Sequence, residues 1–198
     1  MAMIAVLGNG RVGGSLSAAL ARAGHEVRVA DRSPGAAADA ARTAQIVVNA
    51  TPGAGSLERL LALRGELEGK ILVDVSNATV GGEDGLPAGL LHPGSSLGEQ
   101  LQEALPATRV VKTLNTMLYT VMTAPAALAQ SPTAFLSGED PEAKRVVRGL
   151  LEDLGWQREW ITDLGGIETA RATEAAVLFV PHVIRSGGFA PFAVSIAR

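Results

Sequence analysis

Cysteine is absent from the 198 residues, which excludes disulfides, a thiolate nucleophile and thiolate metal sites. Aromatic residues make up only 4% of the chain, charged residues 19%, and the formal net charge is -3. No block or stripe of Lys and Arg accompanies that balance, so neither nucleic acid nor a membrane surface is expected as a partner. Long apolar runs are missing as well. The longest, around Ala175 to Ile184, is interrupted by Pro181 and falls short of the roughly 18 residues that span a bilayer. The opening run Met3–Leu7 meets glycine at once and has no basic start, so no secretory signal is expected and a cytoplasmic location is. Spacing shows no metal-ligand cluster.

Glycine, in contrast, is abundant at 23 residues, which suits helices packed closely on a sheet. A chain of this length buries one substantial core and is too short for a nucleotide domain plus a full substrate domain. One compact domain over 1–198 is therefore expected, with a core over about 1–162 and a C-terminal helix and tail over about 163–198. Short β-branched runs alternate with Ala- and Leu-rich helical stretches, the pattern of a Rossmann-type α/β fold with a doubly wound, mostly parallel sheet. Strands are predicted near Ile4–Leu7, Glu26–Ala30, Ile46–Asn49, Ile71–Val75, Val110–Thr113, Thr133–Ser137 and Gln157–Ile161. Val12, Leu16, Ala19, Leu20 and Ala23 form one apolar helical stripe that Gly24 ends, and Asp140-Pro141 opens a second helix that closes at Gly155. The stretch from Asn77 to Ser96, broken by glycine and proline, reads as a long loop.

The first predicted strand runs into Gly8-Asn9-Gly10-Arg11-Val12-Gly13 and then into a helix. Each glycine has its own reason: a tight turn at Gly8, close approach of backbone to a pyrophosphate at Gly10, close helix packing at Gly13. The helix N-terminus behind them offers free N–H groups to phosphates. Asp31 ends the second strand, where a carboxylate can accept from an adenine-ribose diol, but Arg32 and Ser33 beside it suit a 2′-phosphate. NADH and NADPH both remain open on these residues. Polar residues also gather at the ends of later strands, with Thr51-Pro52, Ser76-Asn77 and Asn115-Thr116 where ligands bind on open parallel sheets. No acid or base for alcohol oxidation stands out. His92 in the long loop and Tyr119, the single tyrosine, are weak candidates for a proton donor.

Several segments together resemble one family over nearly the whole chain: Ile4–Gly13, Ala23–Val27, Leu72–Asn77, Val110–Thr116 and Phe189–Arg198. These are similar to the short NADP-dependent oxidoreductases of the deazaflavin coenzyme F420 type, related to the reductase domains of metalloreductases. The resemblance implies a nicotinamide over the strand ends and a second ring set against it by the strand-four loop and the C-terminal segment. It also implies a homodimer, and a cofactor lined by the glycine loop, residues 31 to 33, Thr51, Pro52, Asn77 and Asn115. The leading expectation is an NAD(P)H-dependent oxidoreductase moving hydride between nicotinamide and a deazaflavin (coenzyme F420), a flavin or a similar small-molecule acceptor. A small imine or carbonyl reductase using His92 or Tyr119 is one alternative. A non-catalytic NAD(P)-binding sensor or partner protein is another. The apolar stretch Ala175–Val180 is expected to serve the core or a dimer contact.

Overall fold

Residues 1–197 are described by the computed structural model, so Arg198, which closes the last of the family-like segments, lies outside the described residues. In chain order the elements are β1 (Met3–Leu7), α1 (Arg11–Arg22), β2 (Glu26–Ala30), α2 (Ala36–Thr43), β3 (Ile46–Asn49), α3 (Ser56–Leu61), α4 (Arg64–Leu67) and β4 (Ile71–Asp74). There follow β5 (Thr79–Gly81), β6 (Pro87–Leu90), α5 (Leu97–Ala104), β7 (Arg109–Lys112), α6 (Tyr119–Met122), β8 (Ala134–Ser137), α7 (Pro141–Asp153), β9 (Ile161–Gly165), α8 (Ala170–Ala175) and α9 (Val180–Gly187).

The main sheet has the order β2-β1-β3-β4-β7-β8-β9 and is parallel except between β7 and β8, which meet antiparallel at Lys112 and Ser137. Alternation along its central strands explains the two layers. Ile4, Val6, Ile46, Val48 and Val73 pack toward the α1 and α7 side with Leu16, Leu20, Val147 and Leu151. Ala5, Leu7, Val47 and Leu72 point the other way, into a core with Ala40, Leu60, Leu67 and Leu101. Covering both faces makes β3 and β4 wholly buried, as their apolar runs require. The expected doubly wound Rossmann sheet is thereby present. Helix α7 begins as its sequence dictates, with the Asp140 carboxylate accepting from the Ala143 amide at 2.7 Å and Pro141 in the first turn.

Two expectations need correction. Arg158–Trp160 is a short 3-10 turn, and the strand begins at Ile161 because pairing with β8 starts there, Ala134 opposite Ile161. The stretch between Asn77 and Ser96 is not all loop, since β5 and β6 form an antiparallel hairpin closed through the Gly82 amide on the Leu86 carbonyl. Pro87 sits at the start of β6, where a missing N–H disturbs no ladder interior. The tail returns over the sheet ends: the Leu118 amide donates to the Phe192 carbonyl and the Val194 amide to the Thr116 carbonyl. Among the described residues no helix is long and apolar enough to cross a membrane.

Candidate functional site

Strand β1 reverses into α1 through Gly8, whose φ of +103° is left-handed and whose amide donates to the Ala30 carbonyl of β2 at 3.0 Å. A Cβ on Gly8 would stand 2.7 Å from the Ala50 carbonyl oxygen, and one on Gly13 only 1.9 Å from the Gly8 carbonyl oxygen. Gly10 is the opposite case, with nothing within 4 Å of its would-be Cβ. These are the geometries of a tight turn, a packing contact and an open approach. Gly10 also caps α1 without a side chain, so no side chain satisfies the helix's first amides.

Next to this loop, Asp31, Arg32 and Ser33 are exposed at the end of β2. The Ser33 amide donates to Asp31 Oδ1 at 2.9 Å, and hydrogen bonds from the Ser33 backbone and side chain hold the Asp31 carboxyl below the usual carboxylate range. Arg32 forms no ion pair among the described residues. Beyond β3, Thr51 donates its hydroxyl to Asn49 Oδ1 at 2.7 Å, and Arg59 clasps the turn through the carbonyls of Pro52 and Ala54. The β3 and β4 ends touch here, since a Cβ on Gly53 would fall 2.1 Å from the Asn77 carbonyl oxygen.

Under these strand ends lies a buried polar network. Asn49, at the end of β3, donates to Asp74 Oδ1 at 2.8 Å. Asp74 faces Lys112 in the β4–β7 register and takes its Nζ at 2.7 Å. Lys112 Nζ also meets Glu174 Oε1 at 2.8 Å, and the Glu174 carboxylate accepts from the Leu97 and Gly98 amides at the start of α5. Burial opposes the charge on Lys112, but Asp74 and Glu174 outweigh it and raise its pKa above the ordinary lysine value. Lys112 further donates to the Ser76 carbonyl. Above it, Asn77 Nδ2 donates to the Asn115 carbonyl at 2.8 Å and Asn115 Nδ2 to Asn77 Oδ1 at 3.0 Å. Leu114, just before Asn115, holds a φ of +58°, a strained value for a side-chain-bearing residue at the end of β7.

One cleft of about 1650 Å³ runs across all these features. Every sequence-predicted cofactor residue lines it except Gly13, which lies beneath the turn as a packing contact. Tyr119 also lines it, with the Arg11 guanidinium 5.6 Å from its ring centre. His92 is not among the lining residues, and His182 borders a separate cavity of about 630 Å³ beside Asp84 and Arg185. The far half of the cleft is apolar, walled by Met117, Met122, Phe179, Val183, Phe189 and Phe192. In the stretch Ala175–Val180, Val177 enters the core while Leu178 and Phe179 stay exposed.

Sequence reasoning passed over Lys112, Asp74, Glu174 and Arg59. A signal existed for two of them: Asp74 and Lys112 are charges inside otherwise apolar runs on strands that prove to be neighbours. For Glu174 and Arg59 only the folded geometry speaks.

Comparison with known proteins gives consistent matches. The family model described as NADP oxidoreductase, coenzyme F420-dependent, matches residues 3–58. A curated F420-dependent NADP reductase from Methanocaldococcus jannaschii is 28% identical over 141 residues, which are 69% of this chain and 60% of that enzyme. The match thus spans less than two thirds of that relative. A crystal structure from Arthrobacter sp. FB24, of a candidate F420-dependent NADP-reductase, aligns with a TM-score of 0.92 at 39% identity, covering 100% of both chains. The hypothetical protein SMa0349 from Sinorhizobium meliloti aligns with a TM-score of 0.68 at 26% identity, over 85% of this chain and 88% of its own.

Proposed function

The chain belongs to the coenzyme F420-dependent NADP oxidoreductase family, and from that premise we propose that it moves a hydride between NADPH and a flat redox acceptor of the deazaflavin or flavin class. The observation that carries this reading is the cleft itself. Its volume of about 1650 Å³ exceeds the roughly 300–1,000 Å³ of a pocket for one small molecule, and its two halves differ in chemistry. One half offers backbone amides, Asp31 and Arg32; the other offers aromatic and aliphatic side chains.

The residues present fit a dinucleotide. Gly10 leaves open space beside the first amides of α1, where a pyrophosphate finds N–H donors and the positive helix end. Thr51, Pro52, Asn77 and Asn115 would border the nicotinamide at the strand ends. When bound, the nicotinamide supplies the hydride. The Asn77–Asn115 pair, next to the Ser76 carbonyl that Lys112 holds, would form the floor, and the tail, pinned by the Leu118 amide on the Phe192 carbonyl, would border the acceptor's side. Such a reaction asks the protein chiefly for placement at about 3–3.5 Å, because the ring nitrogen of the reduced acceptor can take its proton from solvent, and the cleft lining contains no histidine.

Tyr119 in the cleft favours a second reading, reduction of an imine or carbonyl with the phenol as proton donor. NADPH titration followed by oxidised deazaflavin or flavin separates the two. Rapid loss of nicotinamide absorbance supports the ring-to-ring reductase; no loss with either acceptor, together with turnover of an imine that Tyr119→Phe abolishes, supports the second. The homodimer is proposed to use the exposed Leu178 and Phe179, and a monomer by light scattering at micromolar concentration would remove it.

A further inference from the structure

We propose that Asp31 opens the coenzyme cleft to NADH, so that NADH and NADPH bind with comparable affinity, while Arg32 retains the additional phosphate of NADPH. The inference rests on the dinucleotide reading of the cleft. Asp31 is the first residue beyond β2, at the place where an acidic side chain reaches the adenine ribose of a nucleotide seated on a Gly8–Gly13 type turn. Its carboxylate is exposed and is held locally by Ser33. The Ser33 amide donates to Oδ1 at 2.9 Å, which aims the carboxylate while leaving it lone pairs to accept from a ribose hydroxyl. An aspartate is ionised at neutral pH, and the hydrogen bonds from Ser33 favour its charged form further, so a 2′-phosphate at this spot meets a like charge.

The neighbouring cations decide how far that repulsion goes. Arg59 is committed to the Thr51 hydroxyl and to the Pro52 and Ala54 carbonyls, which turns its charge toward the β3 turn. Arg11 is drawn to the Tyr119 ring, its guanidinium 5.6 Å from the ring centre. Arg32 alone is exposed beside Asp31 and in no ion pair among the described residues, so it can engage a phosphate without first giving up a partner. One carboxylate and one guanidinium outside any ion pair among the described residues stand at the ribose end. The carboxylate favours a diol and the guanidinium a phosphate, so neither coenzyme is rejected.

Equilibrium titrations with NADH and with NADPH, read by nicotinamide fluorescence at fixed ionic strength and with no acceptor added, test this directly. The two dissociation constants are expected within about tenfold of each other. Asp31→Asn keeps a side-chain oxygen for the Ser33 amide and removes the charge, and it is expected to shift the affinity ratio toward NADPH by about tenfold or more. Arg32→Gln is expected to shift the ratio toward NADH by a similar factor. A wild-type preference beyond about a hundredfold either way, or an Asp31→Asn ratio within about twofold of wild type, would overturn the proposal. Binding of neither coenzyme would instead remove the dinucleotide reading and this inference with it.

Discussion

The two ends of the cleft are made in different ways. The glycine end, Gly8 to Gly13, is one continuous turn into α1 whose form is set by backbone: a positive φ at Gly8, a carbonyl 1.9 Å from any Cβ at Gly13, open space at Gly10. The apolar end is gathered from separate segments, Met117 to Met122, Phe179 to Val183, and Phe189 to Val194, and its form is set by side chains. At Gly8 and Gly13 the backbone leaves no room for a side chain, whereas apolar contact area can be traded piece by piece. Damage at the first end should therefore be abrupt and local to the coenzyme, and damage at the second graded and local to the acceptor.

The largest effect is expected from the joint beneath both ends. Lys112→Met leaves Asp74 and Glu174 buried without their cation and should cost about 3–5 kcal/mol in urea unfolding, with coenzyme and acceptor affinities falling together. A loss below about 1 kcal/mol would mean that the network does not join the two halves. Gly13→Ala comes next: its methyl group would overlap the Gly8 carbonyl, with an expected cost of about 3 kcal/mol and loss of coenzyme binding. Gly10→Ala should keep wild-type stability yet weaken coenzyme binding by about tenfold, because its methyl group enters open cleft and not packed chain. Equal stability losses in the two alanine variants would break the distinction between these glycines.

At the apolar end, Phe192→Ala should raise the acceptor KM by about tenfold and leave the NADPH dissociation constant unchanged. A coenzyme affinity that falls as much as the acceptor's would show that the ends are not separate. The smallest effect concerns pH. Hydrogen bonds from Arg171 hold the Glu99 carboxyl below the usual glutamate range. Its contribution to stability is present above the unfolded-state value and disappears as the pH falls through the lower folded-state value. Wild type should thus melt slightly higher than Glu99→Gln at neutral pH, and the difference should vanish in acid.

This contrast also accounts for what the sequence could convey. Gly8, Gly10, Asp31, Thr51, Pro52, Asn77 and Asn115 were legible as residues of the cleft lining because each follows within a few residues of a strand with an apolar run, and the βαβ order then fixes where those ends point. The β5–β6 hairpin was not, because Gly81, Gly82, Gly85 and Pro87 signal turns more strongly than Thr79, Val80 and Leu90 signal strands. Likewise β9 starts at Ile161 through its register with β8, a partner that local pattern does not name. The Lys112–Asp74–Glu174 network joins residues far apart in the chain, and the apolar wall depends on the tail folding back to pair near Met117. Long-range pairing of this kind leaves only a faint trace in a single sequence: a charge inside an apolar strand, or an exposed phenylalanine.

Direct passage of hydride from one end of the cleft to the other is the step that joins these two regions. It is tested by supplying NADPH deuterated at both C4 positions together with oxidised deazaflavin and locating the label by mass spectrometry. Deuterium retained on carbon in the reduced deazaflavin is the expected result. Label recovered in water, or no reduction of the deazaflavin at all, would contradict the ring-to-ring transfer.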